Sequence, residues 1–248
     1  MLFEGKIDVH LLNLINAIRK TKSKAKLLNL NYEILKVERF ITTPDRLQNS
    51  ADSYFSTILD IYSNRPYNTP IFNELLCKAY KEYGIIKLYN SNYIYSEELL
   101  KKSLDLSIQY NFNSEHVLIQ SYIDLLLNID KTFIYESIDE YIDVDKALMI
   151  VRMNHEYVIE LLINKAIIQL RNMNYDKAYM LLNMSEQYIY SNLLTSRYLL
   201  YLCEIYGLCC KCKIDTETYA NKFETVFIQL EKPLKTYILN RLRIFCYY

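Results

Sequence analysis

Residues 155–190, HEYVIELLINKAIIQLRNMNYDKAYMLLNMSEQYIY, decide the fold. Helical periodicity runs through both halves, His155–Met173 and Tyr175–Tyr190, with almost nothing between them. Two helices joined so tightly lie antiparallel. Small residues mark both halves: Ala166 in the first, Ala178 and Ser185 in the second. Small side chains let two helix axes approach closely, and a large one such as Leu182 fills the groove between ridges.

The same spacing extends outward. Two of the three glycines, Gly84 and Gly207, sit in tyrosine-rich helical segments 123 residues apart, which is three steps of 41. The intermediate steps fall on Leu125 and Ala166. A period near 40 in a helical chain indicates stacked helix pairs. Further helices are expected over Ile7–Lys20 and from Lys24 to Ile41. Thr43-Pro44-Asp45 reads as a helix start, Arg65 to Pro70 as a rigid turn, and Thr69-Pro70 as the start of a helix to Tyr89. Ser96-Glu97-Glu98 and Ser114-Glu115 read as the next two starts, and shorter helices are expected over Thr132–Ile142 and Val144–Met153. Leu193–Lys211 and Asp215–Leu230 form another pair, and Glu231-Lys232-Pro233 opens a last helix. No segment alternates as a strand does.

Composition agrees and excludes other classes. Three Gly and four Pro in 248 residues leave few punctuated turns, which favours long helices. With 51% hydrophobic and 23% charged residues the chain is neither disordered nor built to span a bilayer. The start, MLFEGKIDVH, lacks the blocks of a signal peptide, so a cytoplasmic chain is expected. The 29 basic and 29 acidic residues cancel, which argues against a dedicated nucleic-acid binder. The basic run Arg19 to Lys26 reads as a solvated face or connection in the first helix pair, the alternative being a contact with nucleic acid or an acidic partner. Cys209 and Cys212 make one CxxC pair with no second pair to complete a zinc site, so the cysteines read as core, and neither metal nor cofactor is expected. His10, His116 and His155 lack nucleophile or carboxylate partners, and no phosphate-binding glycine loop, HExxH or GxSxG occurs, so catalysis is not expected.

The stretch Asn174-Tyr175-Asp176-Lys177-Ala178-Tyr179 resembles the tetratricopeptide repeat. With Ala166 as the first small residue, Tyr175, Ala178, Leu182 and Ser185 fall on that family's aromatic, small, large and small positions. From Gly84 the matching places go to Tyr93, Ser96, Leu100 and Ser103. The match weakens from Gly207, where Tyr219 takes the small position, and is poor from Leu125. The family's proline is missing, and its usual step is about 34 residues. The resemblance covers roughly residues 70–230 and implies an all-α fold, a right-handed superhelix of antiparallel helix pairs. It divides the chain into N-terminal helices at 1–66, a repeat domain at 67–230 and a C-terminal helix at 231–248 that caps the last repeat or pairs with a second copy.

In that family the first helix of each pair lines a concave groove. The resemblance therefore implies peptide-binding positions at Lys78, Lys81, Tyr122, Glu160, Asn164, Arg171, Tyr201, Glu204 and Lys211. Tyrosine offers contact area with few rotors, and asparagine pairs with backbone amides. Part of the content of 25 tyrosines reflects a general Ile/Asn/Lys/Tyr bias. Degenerate repeats of this kind are similar to the peptide-pheromone receptors of Gram-positive bacteria and their phages, the Rap, PlcR and arbitrium-receptor type. That likeness implies a short signalling peptide or protein tail as partner and a transcriptional or partner-protein output. No helix-turn-helix pattern precedes residue 60, which argues against direct DNA contact. The alternative is an interaction scaffold that does not switch. On the groove reading, Asn164→Ala with Arg171→Ala weakens ligand binding and leaves the melting temperature nearly unchanged.

Overall fold

Left-handed turns close three of the described helices. A computed structural model describes residues 7–41, 49–64, 69–129, 144–192 and 198–246. Among these residues every regular element is an α-helix. They are α1 (Ile7–Lys20), α2 (Lys24–Ile41), α3 (Asn49–Ser63), α4 (Pro70–Tyr89), α5 (Tyr93–Gln109) and α6 (Asn113–Ile129). They continue with α7 (Val144–Val151), α8 (His155–Arg171), α9 (Tyr175–Ser191), α10 (Tyr198–Lys211), α11 (Thr216–Phe227) and α12 (Lys232–Cys246). The expected start at Thr43-Pro44-Asp45, residues 65–68 of the turn expected over 65–70, the helix over Thr132–Ile142 and residues 193–197 of the helix expected from Leu193 lie outside the described residues. No helix among the described residues is long and apolar enough to cross a membrane.

The chain divides into two units, Met1–Ile119 and Gln120–Tyr248, with the division falling inside α6. The boundaries expected at residues 66 and 230 therefore lie within the units. In the first unit α2, α3 and α4 share one core through Leu35, Phe55, Ile58, Leu76 and Tyr83. In the second, α12 packs on α10.

Two hairpins share their local structure. The α4–α5 hairpin and the α8–α9 hairpin are 82 residues apart, two steps of 41, and their turns and second helices coincide under that shift. Sixteen of the seventeen positions of α5 and α9 are alike in being buried, half-buried or exposed. Gly84, Leu125, Ala166 and Gly207 are all buried. A Cβ on Gly84 would stand 3.0 Å from Leu100 Cγ, so α4 and α5 approach closely at this glycine. Ser96 Oγ donates to the Gly84 carbonyl at 2.8 Å, and Ser103 Oγ to that of Cys77 at 2.7 Å. Ser96 is therefore a bond between helices and not a helix start. The helix begins one turn earlier, at Tyr93, with Asn92 in the cap position.

That earlier start follows from the turn. After α4, the N–H of Ser91 donates to Leu88 O at 3.0 Å and that of Asn92 to Lys87 O at 2.9 Å. This is the Schellman arrangement, and it satisfies the last carbonyls while the chain reverses. The same two bonds close α5 through Asn111 and Phe112, and α8 through Met173 and Asn174. Each turn needs one left-handed residue, supplied by Ser91, Asn111 and Met173 at φ near 58–59°. Gly84 and Gly207 are spent instead inside α4 and α10. Met173 is largely exposed, so its side chain contributes little packing. Met173→Gly removes the left-handed penalty and raises stability by about 0.5–1 kcal/mol, net of the added freedom of the unfolded chain. Urea denaturation measures this as a higher midpoint at unchanged slope.

Candidate functional site

The first helices of the pairs carry polar side chains in their middles, and the structure turns most of them inward. In the first unit, Lys81 on α4 donates to Glu115 Oε2 on α6 at 2.8 Å and lies 3.6 Å from Glu82 Oε1. Arg39 on α2 reaches Glu82 Oε2 at 3.3 Å. Lys78 contacts Glu74 at 2.5 Å and Glu115 at 3.7 Å, and it remains half-buried at the edge of this network.

The second unit repeats the device with neutral groups added. Glu160 on α8 accepts from Tyr122 on α6 at 2.7 Å and from Tyr201 on α10 at 3.0 Å, one phenol to each carboxylate oxygen. Asn164 Nδ2 donates to Ser121 Oγ at 3.0 Å, and Lys165 pairs with Asp124 at 2.7 Å. Glu204 on α10 pairs with Arg241 on α12, whose Nη1 donates to Tyr237 at 3.1 Å. Asp124 and Lys165, like Glu160 and Tyr201, are 41 residues apart, so one step of the sequence period carries a side chain to its partner on the next first helix. Buried charges persist only when paired and hydrogen-bonded, and these are.

This corrects the groove expectation for six of the nine positions. Lys81, Tyr122, Glu160, Asn164, Tyr201 and Glu204 are all buried and bonded between helices. The physical reason is that neighbouring first helices approach closely enough for their polar middles to meet. Arg171 is half-buried and donates to Asn128 O at 3.1 Å and Ile129 O at 3.2 Å, the last carbonyls of α6. It thus caps a helix C-terminus, where a cation is favoured. For the Asn164→Ala/Arg171→Ala pair, expected to leave the melting temperature nearly unchanged, these bonds predict the opposite: Arg171→Ala alone costs about 1–2 kcal/mol, readable by thermal denaturation. Lys211, in the last turn of α10, stays exposed.

Four of the cysteines lie in the core, and Cys210 is half-buried. Cys77, Cys203, Cys209 and Cys212 are buried, and burial pushes the thiols of Cys77 and Cys203 up to about 11 and 12. Such thiols hold their protons at neutral pH and are poor nucleophiles. His155 Nδ1 meets Tyr188 OH at 2.8 Å, which ties the start of α8 to α9.

One cluster escaped the sequence reading. Tyr206, the residue before Gly207, donates to Glu186 Oε1 on α9 at 2.9 Å. Lys222 on α11 reaches the same oxygen at 3.1 Å, with its ammonium 5.2 Å from the Tyr206 ring centre and 4.8 Å from that of Tyr219. Tyr190 OH meets Tyr206 OH at 2.9 Å, and Tyr179 OH meets Tyr219 OH at 3.2 Å. Burial first, then hydrogen bonding, raises the phenols of Tyr206 and Tyr219 above the ordinary tyrosine value, so both stay neutral. The available signals were a tyrosine before each helical glycine and the 40-residue spacing of Tyr179 and Tyr219. No protein-family model matches this chain, and neither a curated protein nor a solved structure is detectably similar to it.

Proposed function

We propose that this chain is a TPR-like helical-repeat protein that binds a polypeptide segment and passes the event to a transcriptional or partner-protein output, without catalysis. The observation that carries the reading is the hairpin repeated at 82 residues together with the polar bonding between successive first helices. Helical hairpins of this kind, used repeatedly, present long surfaces suited to extended ligands. A peptide-driven switch on this reading would re-pair these buried, directional contacts in a second discrete arrangement. Of the positions expected to meet the ligand, Lys78, Arg171 and Lys211 keep some access to solvent, each within its own unit.

The burial of six expected groove residues favours a second reading, a scaffold that holds a protein partner on outer surfaces and does not switch. A thermal-shift screen of the full chain against synthetic peptides of about five to ten residues separates them. On the receptor reading, one peptide at about 100 times its Kd stabilises the fold by about 2.7 kcal/mol, which raises Tm by about 5–10 °C. Response to a folded partner alone overturns the receptor in favour of the scaffold.

A further inference from the structure

We propose that Tyr179, Tyr190, Tyr206, Tyr219 and Glu186 form a cage for an alkylammonium cation, and that Lys222 is its resident, displaceable occupant. The cage fits such a cation because it already holds one. The Lys222 ammonium sits within 5.2 Å of two ring centres and 3.1 Å from a carboxylate oxygen, the combination by which aromatic sites recognise ammonium groups. Neutral phenols bonded to one another and to Glu186 keep the walls in place when the occupant changes.

A similar triad in the first unit shows what distinguishes this one. There Tyr83, the residue before Gly84, donates to Asp52 at 2.5 Å, and Lys87 reaches the same oxygen at 2.7 Å with its ammonium 4.7 Å from the Tyr83 ring centre. In that triad the lysine side chain is 5% exposed and the carboxylate 45%, so the cation is locked in and the anion faces water. In the second unit the order is reversed: Lys222 is 41% exposed and Glu186 only 10%. The cation is the removable part, and its departure uncovers a shielded carboxylate walled by aromatic rings. A lysine head on a flexible stem hydrates readily, and its exposed ion pair is weak. Tyr190 is exposed and Tyr179 half-buried, so the walls reach the surface where an incoming group would arrive.

The occupant expected from outside is the end of a lysine side chain, or a methylated one, presented by the bound polypeptide. Only this source of the cation rests on the binding-protein reading. Lys222 then acts as a built-in competitor. Calorimetric titration of the full chain with butylammonium and with tetramethylammonium tests the site, using wild type, Lys222→Ala and Lys222→Ala/Glu186→Gln. Lys222→Ala is expected to bind at least one of these cations about 10-fold more tightly than wild type, equivalent to ~1.4 kcal/mol. Adding Glu186→Gln should reverse that gain. Preference for butylammonium assigns the source to unmodified lysine, and preference for tetramethylammonium to methylated lysine. Equal affinity of Lys222→Ala and wild type, or a gain that survives Glu186→Gln, overturns the cage. Should Lys222→Ala unfold, millimolar binding of butylammonium to wild type that is lost in Glu186→Gln supports the site, and absence of binding overturns it. A peptide that stabilises the chain while neither cation binds removes the cage and leaves the peptide receptor standing.

Discussion

Glu160→Leu lowers the unfolding free energy by about 3–5 kcal/mol, because it strips the carboxylate from two buried phenols at once. Tyr122 is fully buried and Tyr201 nearly so, and both hydroxyls point at Glu160, from α6 and from α10. Leucine fills the space but offers no acceptor. Each phenol then retains its desolvation cost without this bond, about 1–3 kcal/mol apiece. For a chain of this length, that total moves Tm by about 6–20 °C. A residue on an open groove behaves differently, since surface substitutions usually fall within about 0.5 kcal/mol. The size of the change therefore decides whether Glu160 holds helices together or waits for a ligand.

Gly84→Val costs about 3 kcal/mol, at the upper end of ordinary overpacking. The first added carbon already stands 3.0 Å from Leu100 Cγ and 3.4 Å from the Leu100 backbone nitrogen. Leu100 is fully buried, and α5 is bonded to α4 on either side of it through Ser96 and Ser103, so it has little room to yield. Valine adds two further methyls in the same space. Gly207 offers the contrast. A Cβ there meets the terminal methyls of Leu242 at 2.6 and 3.0 Å, but Leu242 is half-buried and its side-chain end can turn aside. Gly207→Ala stays within about 1 kcal/mol of wild type, because alanine's helix preference offsets the crowding. Parallel urea titrations of the two variants separate a required glycine from a tolerant one.

The sequence carried much of the local architecture. The bounds of α1 and α2, and the Thr69-Pro70 start of α4, are as read. The 41-residue step reappears as side chains that meet across it. Ser96 was misread because a serine before two acids looks the same whether it caps a helix or bonds across a pair. The turns after α4, α5 and α8 were hidden for a related reason: their left-handed residues are Ser91, Asn111 and Met173, and no glycine announces them. The site was the least legible part. Helical spacing tells which face of α8 carries Glu160 and Asn164, but not whether neighbouring helices close over that face. That depends on Tyr122 and Tyr201, 38 and 41 residues away. The tyrosine cage was obscured by composition, since 25 tyrosines dilute the meaning of any four.

Polar residues in the first helices bind one another. A double-mutant cycle between Glu160→Leu and Tyr201→Phe, read by urea denaturation, measures it directly. The structure predicts a coupling energy of about 1.5–3 kcal/mol, as expected for a buried hydrogen bond to a carboxylate. Additive losses, with coupling below about 0.3 kcal/mol, would contradict it and return both residues to an open groove.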